Sequence, residues 1–211
     1  MRSLRAAPLR WVKPAVFGLS LLPAAWLAFD AYAGRLGVNP IETVTHSTGD
    51  WTLRFILIAL CVTPLRWLTG QAWILRLRRM LGLFAFFYAC LHLTTYLWLD
   101  QFFIWQDILA DIVKRPFITV GFASFVILAA LAATSTDGML RRLGRRWKTL
   151  HRGVYLAAIL GVVHFWWLVK ADIREPALYA GLLAVLLGYR VVRALRQRRR
   201  QTNRAAVAAR G

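Results

Sequence analysis

Apolar residues gather into six runs of about twenty, at roughly 14–31, 51–67, 80–99, 117–136, 151–169 and 176–192, with short polar clumps between them. About twenty residues at a rise of 1.5 Å each is the length of helix that crosses the hydrocarbon core of a bilayer. A helix pairs every backbone group within its own segment, which lipid demands. The pattern therefore predicts an all-α fold, an integral membrane bundle of six transmembrane helices. The longest gaps are under twenty residues and leave no room for a large soluble domain. The bundle is expected over 1–193, with a basic tail over 194–211.

One connector has a pattern of its own. In "LDQFFIWQDILADIVKRP" at 99–116, Phe102, Trp105, Leu109 and Ile112 recur at helical spacing opposite Asp107 and Asp111. This predicts an interfacial helix, either a plain connector or a dock for a partner. No internal repeat and no low-complexity segment stands out apart from the Arg/Ala tail.

Charge orients the bundle. The chain is 59% hydrophobic and only 18% charged, yet its formal net charge is +19. Twenty-two of the 28 Lys and Arg residues fall in four clumps, at 2–13, 66–79, 141–152 and 190–210. With six crossings all four clumps lie on one face, and of the nine acids only Asp137 joins them. By the positive-inside rule that face is cytoplasmic and both termini of this multi-pass chain lie there. The basic tail then faces anionic lipid, and no nucleic-acid partner is expected. The start of the chain also fits a secretory signal ending at Ala31-Tyr-Ala33, but its apolar run is long for a signal and suits an uncleaved first helix better. Cys61 and Cys90 sit within runs, with no disulfide framework, and read as small packing residues.

Four histidines carry the candidate chemistry: His46, His92, His151 and His164. His46 falls in the outer connector before the second run, with no partner at matching depth. His92 and His164 lie on the third and fifth runs, which point the same way, about 12 and about 13 residues from the start of each. Their rings are then within roughly 2 Å of one depth, in the outer half of the membrane. Two imidazoles so placed fit bis-axial heme ligation, a proton or quinone site, or hydrogen bonds between helices. Matched depth favours heme, because each helix then supplies one axial nitrogen. Gly82, Ala85, Ala89 and Gly161 nearby leave room for a bulky group, as they also would for close helix packing. His151 lies about 20 Å below His164 and about 140° around the helix from it. At its level on the third helix stand Arg78 and Arg79. These two and Arg152 suit heme propionates or a flavin phosphate, or are ordinary members of the basic clumps.

Several stretches carry a resemblance: "RRMLGLFAFFYACLHLTTY" at 78–96, "KRPFITVG" at 114–121, "ATSTDGMLRRLGRRWKTLH" at 133–151, "VYLAAILGVVHFWWLVK" at 154–170 and "GVNPIETVTHSTGDWTLRF" at 37–55. Together they resemble the heme-binding membrane subunits of the bacterial periplasmic methionine-sulfoxide reductase system, within the wider ferric-reductase-like transmembrane superfamily. The resemblance implies a bacterial inner-membrane electron-transfer subunit rather than the catalytic one, with heme b and FMN as cofactors. Electrons would pass from the quinone pool, or from a flavin donor, to a periplasmic molybdopterin-dependent methionine-sulfoxide reductase subunit that repairs oxidised proteins. The alternative is a stand-alone quinone- or ferric-reducing membrane cytochrome. The family's heme histidines carry over to His92, His151 and His164. The superfamily usually has two histidines on its third helix, whereas this chain has one, which leaves the number of hemes open.

Overall fold

The computed structural model describes residues 7–169 and 172–208, and all regular structure among them is helical. The basic N-terminal clump is thus described only from residue 7 and the tail only to residue 208. Nine α-helices follow one another: α1 (Ala7–Tyr32), α2 (Pro40–Thr69), α3 (Leu77–Thr95), α4 (Trp105–Lys114), α5 (Pro116–Ala133), α6 (Asp137–Leu143), α7 (Arg145–Leu150), α8 (Gly153–Leu168) and α9 (Arg174–Ala208). A 3₁₀ turn (Ala72–Arg76) leads into α3 and a π-helical turn (Tyr96–Asp100) leaves it.

Five stretches are long and apolar enough to cross a membrane: Arg10–Tyr32, Pro40–Thr69, Ala72–Asp100, Pro116–Ala133 and Arg174–Asn203. The sixth expected crossing, 151–169, is shorter than the pattern suggested. Its helix α8 has 16 residues, about 24 Å of rise, because His151 and Arg152 form the turn that ends α7.

Local chemistry sets the other boundaries. The second apolar run begins near 51, but α2 begins at Pro40. Asn39 caps it by accepting the N–H of Glu42 at 3.3 Å and donating its amide to the Glu42 carboxylate at 2.8 Å, and Pro40 needs no amide partner in the first turn. His46 therefore lies on α2, not in a connector. Gly70, at φ 69°, closes the helix in the left-handed conformation that a side chain would resist. Pro116 opens α5 in the same way, and the Thr136 hydroxyl caps α6 by accepting from Met139 N–H at 3.2 Å. The expected tail boundary at 194 is not a break in structure, since α9 runs through it.

The connector 99–116 contains the expected helix, α4. Ile108 is buried, while Phe102, Trp105 and Leu109 are exposed. The turn before α4 passes through two successive left-handed residues, Phe102 and Phe103.

Beside two prolines inside helices, a distant side chain enters the backbone ladder. Pro64 has no N–H to offer the carbonyl of Leu60. The Arg190 guanidinium of α9 takes that carbonyl at 2.5 Å while also donating to Leu186 O at 2.8 Å. In α1, beside Pro23, the Tyr88 hydroxyl accepts from Ala24 N–H at 3.1 Å and donates to Ser20 O at 2.8 Å. These are the two groups that an ideal helix would pair with each other.

The core lies where α2 packs along α3 and α5 along α8. Phe55 stacks between Phe84 and Tyr88, with centroids 5.6 and 5.2 Å apart. Ala157 and Ala158 are fully buried, and Ser124 donates to Ala157 O at 2.9 Å. Arg79 pairs with Asp137, and Arg193 lies over the Trp67 ring. These contacts gather the basic clumps of α2, α3, the α6–α7 segment and α9 at one end of the bundle. The acids Asp50, Asp172 and Glu175 meet at the other end.

Candidate functional site

His92 sits on α3 against α2, and His164 sits on α8 against α5. Each helix presents its ring to the opposite helix pair, and the two ring centroids lie 6.1 Å apart with planes at 76°. The Nδ1 atom of His92 is 2.9 Å from the carbonyl oxygen of Thr45, and that of His164 is 2.7 Å from the carbonyl oxygen of Phe117. A carbonyl can only accept, so each Nδ1 carries the proton and donates it. Each Nε2 is then the unprotonated, metal-competent nitrogen.

The spacing suits one metal between the rings. A metal–imidazole bond is about 2 Å and the ring centroid lies about 1 Å beyond its nitrogen, so two imidazoles on one metal stand about 6 Å apart. Among the described residues no three His, Cys, Asp or Glu side chains come together as a metal cage. Two imidazoles alone need a metal whose other positions are already filled, and heme iron meets that need. The Thr45 hydroxyl, on the turn that holds His92, is buried with no hydrogen-bond partner. The residues present fit the group.

The small residues fall out differently. Ala85 and Ala89 are buried on α3, and Gly161 lets Leu53 approach to within 3.4 Å of where its Cβ would stand. Gly82 has nothing near its missing side chain and does not shape the site. Two glycines not marked out by the sequence pattern do shape it: Gly49 lies under His92, and Gly121 lies under His164. Their signal was present but faint, a glycine four residues after each accepting carbonyl.

His151 belongs to a separate cluster at the basic end. Its ring stacks on Trp147 at 3.9 Å, and its Nε2 lies 3.2 Å from the Thr134 hydroxyl. Trp147 donates to Thr134 O at 2.9 Å. Arg78 and Arg152 are exposed. Arg79 is engaged by Asp137, whose carboxyl it holds below the usual carboxylate range by a hydrogen bond and by its charge.

His46 lines a cavity of about 230 Å³ with Asp50, Phe165, Val169, Asp172 and Glu175. Asp50 follows Gly49 and Phe165 follows His164, so this cavity adjoins the histidine pair from the acidic end. Cys61 is exposed, not packed inside, and Cys90 is half-buried.

Comparison with known proteins gives the chain's family and relatives. The model of the ferric reductase like transmembrane component family matches residues 48–162. The protein-methionine-sulfoxide reductase heme-binding subunit MsrQ of Xanthomonas campestris pv. campestris is 52% identical over 200 residues, covering 92% of each chain. The same subunit of Herminiimonas arsenicoxydans is 53% identical over 190 residues, covering 89% of this chain and 87% of its own. That of Xanthomonas oryzae pv. oryzae is 52% identical over 200 residues, covering 92% of each.

Proposed function

Because this chain belongs to the ferric reductase like transmembrane component family, with the heme-binding subunits of protein-methionine-sulfoxide reductase as its relatives, we propose that it is a membrane cytochrome in which His92 and His164 would hold a heme b. The observation that carries this reading is the matched pair of Nδ1–H···O=C bonds. They leave both Nε2 atoms free across a 6.1 Å centroid separation. Heme bound there supplies one-electron transfer. The chain's own residues fix the ring tautomers, and the apolar walls of α2, α3, α5 and α8 keep water from the site.

In this reading α8 is the sixth crossing. Both termini and the basic end face the cytoplasm of an inner-membrane protein, and the histidine pair lies toward the periplasm. Electrons arrive from the quinone pool or a flavin donor and leave to a periplasmic molybdopterin-dependent methionine-sulfoxide reductase subunit. At the basic end Arg78 and Arg152, with His151 between them in sequence, offer guanidinium donors to an FMN phosphate or to the propionates of a second heme. Arg79 contributes there only by releasing Asp137.

The test is spectroscopic. His92→Ala and His164→Ala should each abolish the low-spin heme signal of the purified protein, whereas His46→Ala should retain it. An unchanged low-spin spectrum with full heme content in either of the first two variants would refute the pairing.

A further inference from the structure

The two hydrogen bonds that orient the paired imidazoles have the same sequence separation. Thr45 and His92, like Phe117 and His164, are 47 residues apart. In both cases a glycine follows the carbonyl residue by four positions. A Cβ added at Gly49 would stand 3.1 Å from Cε1 and 3.2 Å from Nδ1 of His92. One added at Gly121 would stand 2.6 Å from Nδ1 and 2.9 Å from Cε1 of His164. No other described glycine meets a histidine.

Helix geometry says why glycine is needed there. The carbonyl of residue i points at residue i+4, one turn on. Every Cα–Cβ bond leans toward the helix N-terminus, so the Cβ of residue i+4 overhangs the carbonyl of residue i. A side chain from a neighbouring helix can reach that carbonyl only where the overhang is missing. The same offset that relates Thr45 to Phe117 and Gly49 to Gly121 also relates His92 to His164, Ala85 to Ala157 and Ala89 to Gly161. The sequence shows no repeat, because these few positions are separated by unrelated lipid-facing residues. At the basic end the correspondence breaks: Arg79 stands where His151 stands in the second unit.

We infer that Gly49 and Gly121 are positioning residues, and that α2–α3 and α5–α8 are two copies of one ligand-presenting unit in which a bared helix carbonyl fixes the imidazole tautomer and ring plane. This rests on the bis-histidine reading above. The two units are not equal in strength. The Thr48 hydroxyl also donates to the Thr45 carbonyl, at 2.9 Å, while His164 is the one side chain that reaches the Phe117 carbonyl among the described residues, at the shorter distance.

The experiment uses purified, heme-loaded protein and reads the ferric EPR spectrum together with the midpoint potential. If the two imidazole planes keep their 76° angle with heme bound, the wild type should give a strongly anisotropic low-spin signal. In Gly121→Ala the added methyl displaces the ring from Phe117. The signal should move to different g values and the potential should rise, because an imidazole without its Nδ1–H partner is a weaker donor. Gly49→Ala should shift both in the same direction by less, its contact being tight rather than impossible. Gly181→Ala, with open space at its Cβ, should change neither. A purely structural role for the glycines predicts unaltered g values and potential, since alanine is the better helix former. Wild-type spectra and potentials in both Gly121→Ala and Gly49→Ala would overturn the inference. If Gly121→Ala does not accumulate, an unshifted Gly49→Ala overturns it alone. Failure of the underlying reading looks different, because His92→Ala and His164→Ala would then keep their low-spin heme.

Discussion

Asp137 is the single acid among the basic clumps, and Arg79 favours its ionised form, holding its carboxyl below the usual carboxylate range. A carboxyl whose folded-state value is lowered contributes stability that is present above its unfolded value, about 3.9, and lost as pH falls through the folded one. The Arg79–Asp137 pair is exposed, so its contribution is small and screened by salt. The thermal midpoint difference between the wild type and Asp137→Asn in detergent should be constant between about pH 5 and 8, and should close only below about 4. A difference that varied around neutrality would point to another titrating group. At this scale the sequence was informative about His92 and His164, because depth along a helix follows from counting residues. It was nearly silent about Gly49, Gly121 and the two carbonyls. Whether a helix carbonyl is reachable depends on which neighbour approaches it, and that is settled only by tertiary packing.

Helices α2 and α9 are locked by one guanidinium, which forks to Leu60 O and Leu186 O and lies over Tyr155. Arg190→Met should leave the Leu60 carbonyl unpaired next to Pro64, at a cost of about 1–3 kcal/mol. Arg190→Lys should recover only part of this, since an ammonium lacks the planar fork. Unfolding in detergent or nanodiscs would measure both, and a Met variant as stable as wild type would dissolve the argument. Element existence was legible from the apolar runs. Element ends were not, because Asn39, Glu42 and Pro40 extend α2 well before its apolar stretch, while the His151–Arg152 turn shortens α8. The helix in the connector was legible from its spacing, but the left-handed turn at Phe102 and Phe103 that precedes it was not, because no periodicity reveals that conformation.

For the whole molecule, basic residues gather at one end and acids at the other, which gives the topology a direct test. In a background with Cys61 and Cys90 replaced by alanine, Trp105→Cys on α4 should react with a membrane-impermeant maleimide in intact spheroplasts. Arg146→Cys in α7 should react only after lysis. The reverse pattern would invert the bundle and move the histidine pair to the cytoplasmic half. The architecture of two helix pairs was not readable beforehand, since lipid-facing and pair-facing residues are equally apolar.

The bridged proline also sets a timetable for making the protein. Leu60 and Arg190 are 130 residues apart. At synthesis rates of about 5–20 residues per second, the gap that Pro64 leaves in its helix ladder waits roughly 6–26 s for its guanidinium. Lipid cannot fill it in the meantime. Helix α2 must therefore spend that interval beside water or the insertion machinery. The chain can be fully released into the bilayer only when its last helix has been made.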